Sequence, residues 1–186
     1  MSMATTEQSD LMNNILHTVG RIAVSNLGVL IVGEPGTGKK WLARLIHQAS
    51  GRANYSFRQI SCSKVPREII EQEIFGVEML TLAGTQMLEG ALEQSDGGTI
   101  FFDQISELPL VTQAKIVRAI DHQYFQRIGG YEEITSRVRI IASLVNKSDE
   151  KSLNRSIRQD LYYRITPIVL NLPPLRERKE HIPSLV

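Results

Sequence analysis

The chain has 186 residues, 42% of them hydrophobic, and a formal net charge of +1. That is enough apolar material for one domain with a sizeable core, and the balanced charge excludes a basic footprint for direct nucleic-acid or membrane-surface binding. The single cysteine, Cys62, excludes an internal disulfide, and neither a membrane-spanning apolar run nor a signal-peptide core is present, so the expected location is the cytoplasm.

Leu11, Ile15, Val19 and Ile22 recur at helical spacing. The apolar run Gly28–Val32 predicts a strand, and Lys39–Ala49 predicts an amphipathic helix. Between them stands Gly33-Glu34-Pro35-Gly36-Thr37-Gly38-Lys39. Gly, four residues, Gly-Lys is a phosphate-cradling spacing: the glycines let backbone N–H groups turn inward, and Lys39 reaches toward an anion at the helix N-terminus. A plain Gly-rich turn is the alternative, and the strand–loop–helix setting argues against it. Lys40 follows, where such loops carry a metal-binding Ser or Thr; it adds charge near a phosphate or points to solvent.

A second strand is expected over Tyr55–Cys62, and a helix over Pro66–Phe75 with Pro66 in its first turn. Cys62 reads as a small buried hydrophobe rather than a nucleophile. Gly97-Gly98 punctuates before the strand Thr99–Asp103, which ends in a carboxylate. Beside a phosphate loop, Asp103 is placed to hold Mg²⁺ through its water shell; the alternative is a cap for the next segment. Next come a helix near Val111–His122, a Gly129-Gly130 hairpin and the strand Arg137–Leu144. The charged stretch Asn146–Arg155 precedes a short helix and the strand Pro167–Leu172. Apolar strands alternating with helices predict one α/β domain, its five strands mostly parallel and covered on both faces.

Seven blocks then follow a recognisable order: Glu73–Gly76, Gly97–Asp103, Glu107–Leu110 with Gln113–Lys115, Arg127–Gly130, Arg137–Ala142, Arg158–Arg164 and Leu172–Arg178. In order and spacing, from about Leu11 to the last residue, they resemble the AAA+ domain of NtrC-type, sigma-54-dependent bacterial transcription activators. The resemblance implies an AAA+ P-loop NTPase that binds ATP or ADP with Mg²⁺ through Gly33–Lys40 and Asp103. It also implies a ring, hexameric in the family, that acts on RNA polymerase. Arg158 and Arg164 match arginines that reach a neighbouring subunit's γ-phosphate. The tail from about residue 175 resembles the junction to a helical lid. Lid, regulatory domain and DNA-binding helix-turn-helix are then expected outside these 186 residues.

Departures from that pattern are concentrated at the chemistry. Gln104 stands where relatives carry the glutamate that polarises water; an amide accepts no proton, so hydrolysis loses general-base help worth roughly 10²–10⁴-fold. The asparagine that gates this glutamate aligns with Ser61. The sensor Thr-Asn aligns with Leu144 and Val145, neither of which hydrogen-bonds through its side chain, and Asn146 substitutes only after a one-residue shift. Lys40 replaces a usual glutamate. The sigma-contacting Gly-Ala-Phe-Thr-Gly-Ala signature is missing from Val77–Thr85, where Met79, Leu80 and Leu82 either form another apolar contact patch or pack back onto the domain. Arg44 lies near the phosphate loop, where some relatives sense a cyclic dinucleotide. Two functions follow. One is a nucleotide-binding regulator domain with weak or no hydrolysis that controls assembly with itself or a related AAA+ regulator. The other is a working ATPase that remodels sigma-54 polymerase.

Overall fold

The computed structural model describes residues 15, 17–82, 84–145 and 156–177. In chain order its first elements are β1 (Val29–Val32), α1 (Lys39–Gln48), β2 (Phe57–Ser61), α2 (Ile70–Phe75), β3 (Gly76–Thr81), β4 (Gly84–Glu89) and α3 (Ala91–Gln94). There follow β5 (Thr99–Asp103), α4 (Leu110–His122), β6 (Tyr124–Phe125), β7 (Ile134–Thr135), β8 (Arg139–Leu144), α5 (Gln159–Ile165) and β9 (Ile168–Asn171). Helical turns over residues 17–23 precede them. Leu11, Asn146–Arg155 and the tail from residue 178 lie outside the described residues.

Five strands form one sheet in the order β2-β5-β8-β1-β9, and every pairing in it is parallel. Alternation along each strand sends two sets of side chains to opposite faces. Val29, Ile31, Phe101 and Ile141 pack with Leu42, Ala43 and Ile46 of α1 and with Ile15, Val19 and Ile22. Leu30, Ile60, Ile100, Phe102, Ile140 and Leu144 pack with α2, α3, α4 and α5 on the other face. Leu42 and Ile46 are fully buried at helical spacing, each contributing about 1.5–3 kcal/mol to holding α1 on the sheet. The expected two-faced α/β sheet is thus observed.

Arg139, 1% exposed, is the largest fully buried side chain. Its guanidinium donates to the carbonyls of Ile22 (2.9 Å), Ala23 (3.1 Å) and Leu27 (3.3 Å), caught where the helical turns end. Those acceptors are what make a buried charge tolerable.

Several expected boundaries shift for local reasons. The helix expected from Pro66 starts at Ile70, because Ile69 takes φ −115° and interrupts the regular turn. The strand expected from Tyr55 starts at Phe57, since the Tyr55 amide donates to Arg52 in a turn. Gly129-Gly130 is no two-residue turn: β6 and β7 are joined by residues 126–133. There the glycines permit close approach, as a Cβ on Gly129 would stand 2.6 Å from the Glu78 carbonyl oxygen. The loop expected over Val77–Thr85 is the antiparallel hairpin β3–β4, closed by a Thr81 Oγ1 bond to the Gly84 carbonyl at 2.7 Å.

His47 on α1 is buried, with Nδ1 sharing a hydrogen bond with Thr99 Oγ1 at 3.0 Å. Burial above all lowers its pKa, helped by the charges of Arg139 and Arg44 and opposed by a hydrogen bond with the Tyr55 backbone. Its folded-state pKa therefore lies below the unfolded value, so the unfolded chain takes up the proton first as pH falls. Stability is fully present above about pH 6.5 and declines below it. We expect the thermal midpoint to fall between about pH 7 and pH 5, and His47→Gln to flatten that segment. Parallel pH dependence in both proteins would remove His47 as the cause.

Candidate phosphate-binding site

Three strand ends build this site. β1 delivers Gly33, β5 delivers Asp103, and β8 lies between them. Ligands in open α/β sheets bind at such carboxyl ends. Gly36 and Gly38 have φ of 78° and 83°, the left-handed backbone that lets the loop curl over a central point. Gly38 caps α1 with no side-chain bond, and the first turn carries no acidic residue. The leading N–H groups of the helix and its dipole are thereby left available to an anion.

Within the loop, Thr37 Oγ1 donates to the Glu34 carbonyl at 2.8 Å and fixes the turn. A Cβ on Gly33 would stand 2.8 Å from that hydroxyl, so this position is held by packing rather than by its φ. Lys39 is buried, and its Nζ donates to the carbonyls of Gly33 and Glu34, both at 2.8 Å. Burial lowers the pKa of this ammonium, while the charge of Asp103 raises it. Lys40 is exposed. Glu34 carries a bidentate ion pair with Arg176 (2.7 and 2.9 Å), binding the loop to the segment after β9.

Asp103 has a partner that sequence reasoning missed. Ser143, fully buried on β8, donates from Oγ to Asp103 Oδ1 at 2.6 Å and accepts from the Gln104 amide at 2.9 Å. Gln104 itself sits at φ 60°, ψ 59°, a left-handed conformation that costs a non-glycine residue on the order of 1 kcal/mol. Ser61 stands beside Asp103 in the register of β2 and β5. Leu144 belongs to the core on the far face from α1, and Val145 is half-buried just past the strand end. Period-two alternation was the signal for Ser143: it shares a face with Ile141, Leu144 does not.

The arginines of α5 are not part of this constellation. Arg158 pairs with Asp160 at 2.9 Å, and Arg164 with Asp121 of α4 at 2.7 Å. Both are exposed ion pairs of small intrinsic worth. The Arg164 carbonyl abuts Gly28, at the amino end of β1 and about 16 Å along the strand from Gly33. Arg44 lies over the Phe57 ring, 5.5 Å from its centroid. Cys62 is buried in the core and desolvation pushes its thiol far above the usual range, which suits a packed side chain.

The β3–β4 hairpin resolves an alternative left open by sequence. Leu80 is 88% and Leu82 112% exposed, with Met79, Met87 and Leu88 more than half exposed beside them, so this apolar tip does not pack back. Its base is held by Arg127, which pairs bidentately with Glu93 and also faces Glu78 and Glu132. Two clefts of about 400 and 510 Å³ lie elsewhere, below the hairpin around Phe75 and His122 and at the amino pole around Arg52 and Tyr55. Neither includes the phosphate loop.

Residues 5–171 match the family model described as the Sigma-54 interaction domain. Similar proteins include the transcriptional regulator NtrC of Escherichia coli K12, 37% identical over 179 residues (96% of this chain, 38% of that protein). The regulatory protein AtoC of the same organism is 41% identical over 178 residues (95% of this chain, 39% of that protein). NtrX from Brucella abortus, solved in complex with ATP, superposes with a TM-score of 0.83 at 35% identity, over 94% of this chain and 38% of that one. The P-loop NTPase domain of an E. coli sigma-54 activator superposes at 0.62 with 20% identity, over 90% of this chain and 97% of that one, and supports the fold alone. The chain spans less than two fifths of the length of the curated relatives. No helix among the described residues is long and apolar enough to cross a membrane.

Proposed function

The chain belongs to the sigma-54 interaction domain family, as an AAA+ domain of the NtrC type, and from that premise we propose that it binds ATP or ADP at Gly33–Lys40 and hydrolyses it slowly or not at all. Occupancy would then control assembly, with itself in a ring or with a related AAA+ regulator. The observation that carries this reading is the split between cradle and chemistry. The loop keeps its left-handed glycines, uncapped helix and buried Lys39, while Gln104 follows Asp103 where a base is needed.

In this reading the backbone amides of Gly36, Gly38 and Lys39 hold the β-phosphate, and Lys39 Nζ leaves its two carbonyls for phosphate oxygens. Asp103 suits Mg²⁺, which keeps most of its waters and takes one or two carboxylates beside phosphate oxygens; Lys40 adds no ligand. When bound, Mg²⁺ neutralises phosphate charge. Gln104 orients a water but takes no proton from it. Arg158 and Arg164, exposed and paired only with surface carboxylates among the described residues, are suited to act on a neighbour's nucleotide. RNA polymerase and DNA, the latter through a helix-turn-helix outside these residues, complete the expected partners.

The test is nucleotide affinity and turnover measured together on the full-length protein. Trp41, the only tryptophan of these 186 residues, follows Lys39 by two residues, and a Trp41→Phe control identifies its share of the fluorescence change on binding. Saturable binding with little phosphate release is expected. The active ATPase that remodels sigma-54 polymerase is favoured by one feature, the exposed apolar tip at Leu80 and Leu82. ATP-hydrolysis-dependent open-complex formation with sigma-54 polymerase and no partner regulator would establish it instead.

A further inference from the structure

We propose that Ser143 is a positioning residue for the metal-facing carboxylate, standing in for the polar sensor side chains that Leu144 and Val145 lack. The inference rests on the nucleotide-binding reading above. β8 is the strand between β5 and β1, so any group on its α1 face near the carboxyl end stands between Asp103 and the phosphate loop. Register puts Ser143 opposite Ile31 of β1 and one residue past the Phe102–Ala142 pair of β5. Its hydroxyl is completely buried, donating to Asp103 Oδ1 at 2.6 Å and accepting from the Gln104 N–H at 2.9 Å.

The consequences are chemical. Asp103 Oδ1 accepts from a donor whose only remaining freedom is rotation about one bond, which favours one rotamer of the carboxylate that would hold Mg²⁺ through its waters. The same hydroxyl anchors the left-handed backbone of Gln104 and so sets where the amide side chain projects. Outer partners of this kind orient a ligand without touching metal or nucleotide, and their loss typically lowers metal affinity 10–100-fold.

The test compares ATP affinity with Mg²⁺ and with EDTA, by Trp41 fluorescence, in full-length wild type, Ser143→Ala, Asp103→Asn and the double variant. Ser143→Ala is expected to leave the EDTA affinity within about twofold of wild type and to cut the Mg²⁺ enhancement about tenfold. In the Asp103→Asn background the same change is expected to add less than about twofold, because Ser143 acts through Asp103. Should the alanine variant not fold, Ser143→Cys, near in shape and a weak donor, is expected to give the same loss. Unchanged Mg²⁺ enhancement in the variants, equal losses with and without Mg²⁺, or no enhancement in wild type would overturn the positioning role alone. Wild-type protein that binds no ATP in either condition would remove the nucleotide-binding reading and this inference with it.

Discussion

Lys39→Ala is expected to lower ATP affinity by about 100-fold, or about 3 kcal/mol. Lys39 is buried and, among the described residues, bonded to the Gly33 and Glu34 carbonyls at 2.8 Å, so its charge is held within the loop. A phosphate bound there loses water and gains this ammonium as its main cationic partner; alanine leaves the phosphate desolvated and underpaired. The burial that lowers the Lys39 pKa also means that an anion must raise it. Wild-type affinity should accordingly decline as pH rises through a window below the ordinary lysine range. Titration calorimetry on both proteins decides the matter: equal affinities would make the loop a structural turn.

Gln104→Glu is expected to raise ATP turnover in the full-length protein, by about tenfold rather than the full 10²–10⁴ of general-base help. A glutamate at 104 would inherit a backbone pinned at φ 60° by the Ser143 hydroxyl, next to Asp103, and would supply the missing proton acceptor. Leu144 still faces the opposite core and Val145 still offers no hydrogen bond, so the water stays poorly oriented. Phosphate release measured on wild type and variant is the readout. Wild-type turnover equal to that of ordinary relatives would refute the reading of Gln104 as a loss.

The sheet was legible because its signals are local and periodic. Val29–Val32 and Thr99–Asp103 are apolar runs bounded by glycine, and the loop between β1 and α1 has a spacing with a geometric cause. What escaped was set by tertiary contact. Nothing in Val77–Thr85 announces a hairpin; its base is secured by Arg127 and the parallel bridge of Val77 with Ile128, partners distant in sequence. The Ser143–Asp103 bond depends on parallel register, which no single strand encodes. Arg176 meets Glu34 across 142 residues. Arg158 and Arg164 drew meaning only from family resemblance, since their contacts within the chain are ordinary surface pairs.

The buried guanidinium of Arg139 moves the limits of the folding unit. Its three carbonyl acceptors belong to residues 22, 23 and 27, all upstream of the first strand. A version trimmed to begin at Gly28 would retain every described sheet strand and yet lose all three carbonyl acceptors of this guanidinium, together with the segment that covers it. The flank that contributes no strand therefore belongs to the folding unit, and its removal is expected to lower the thermal midpoint of what remains.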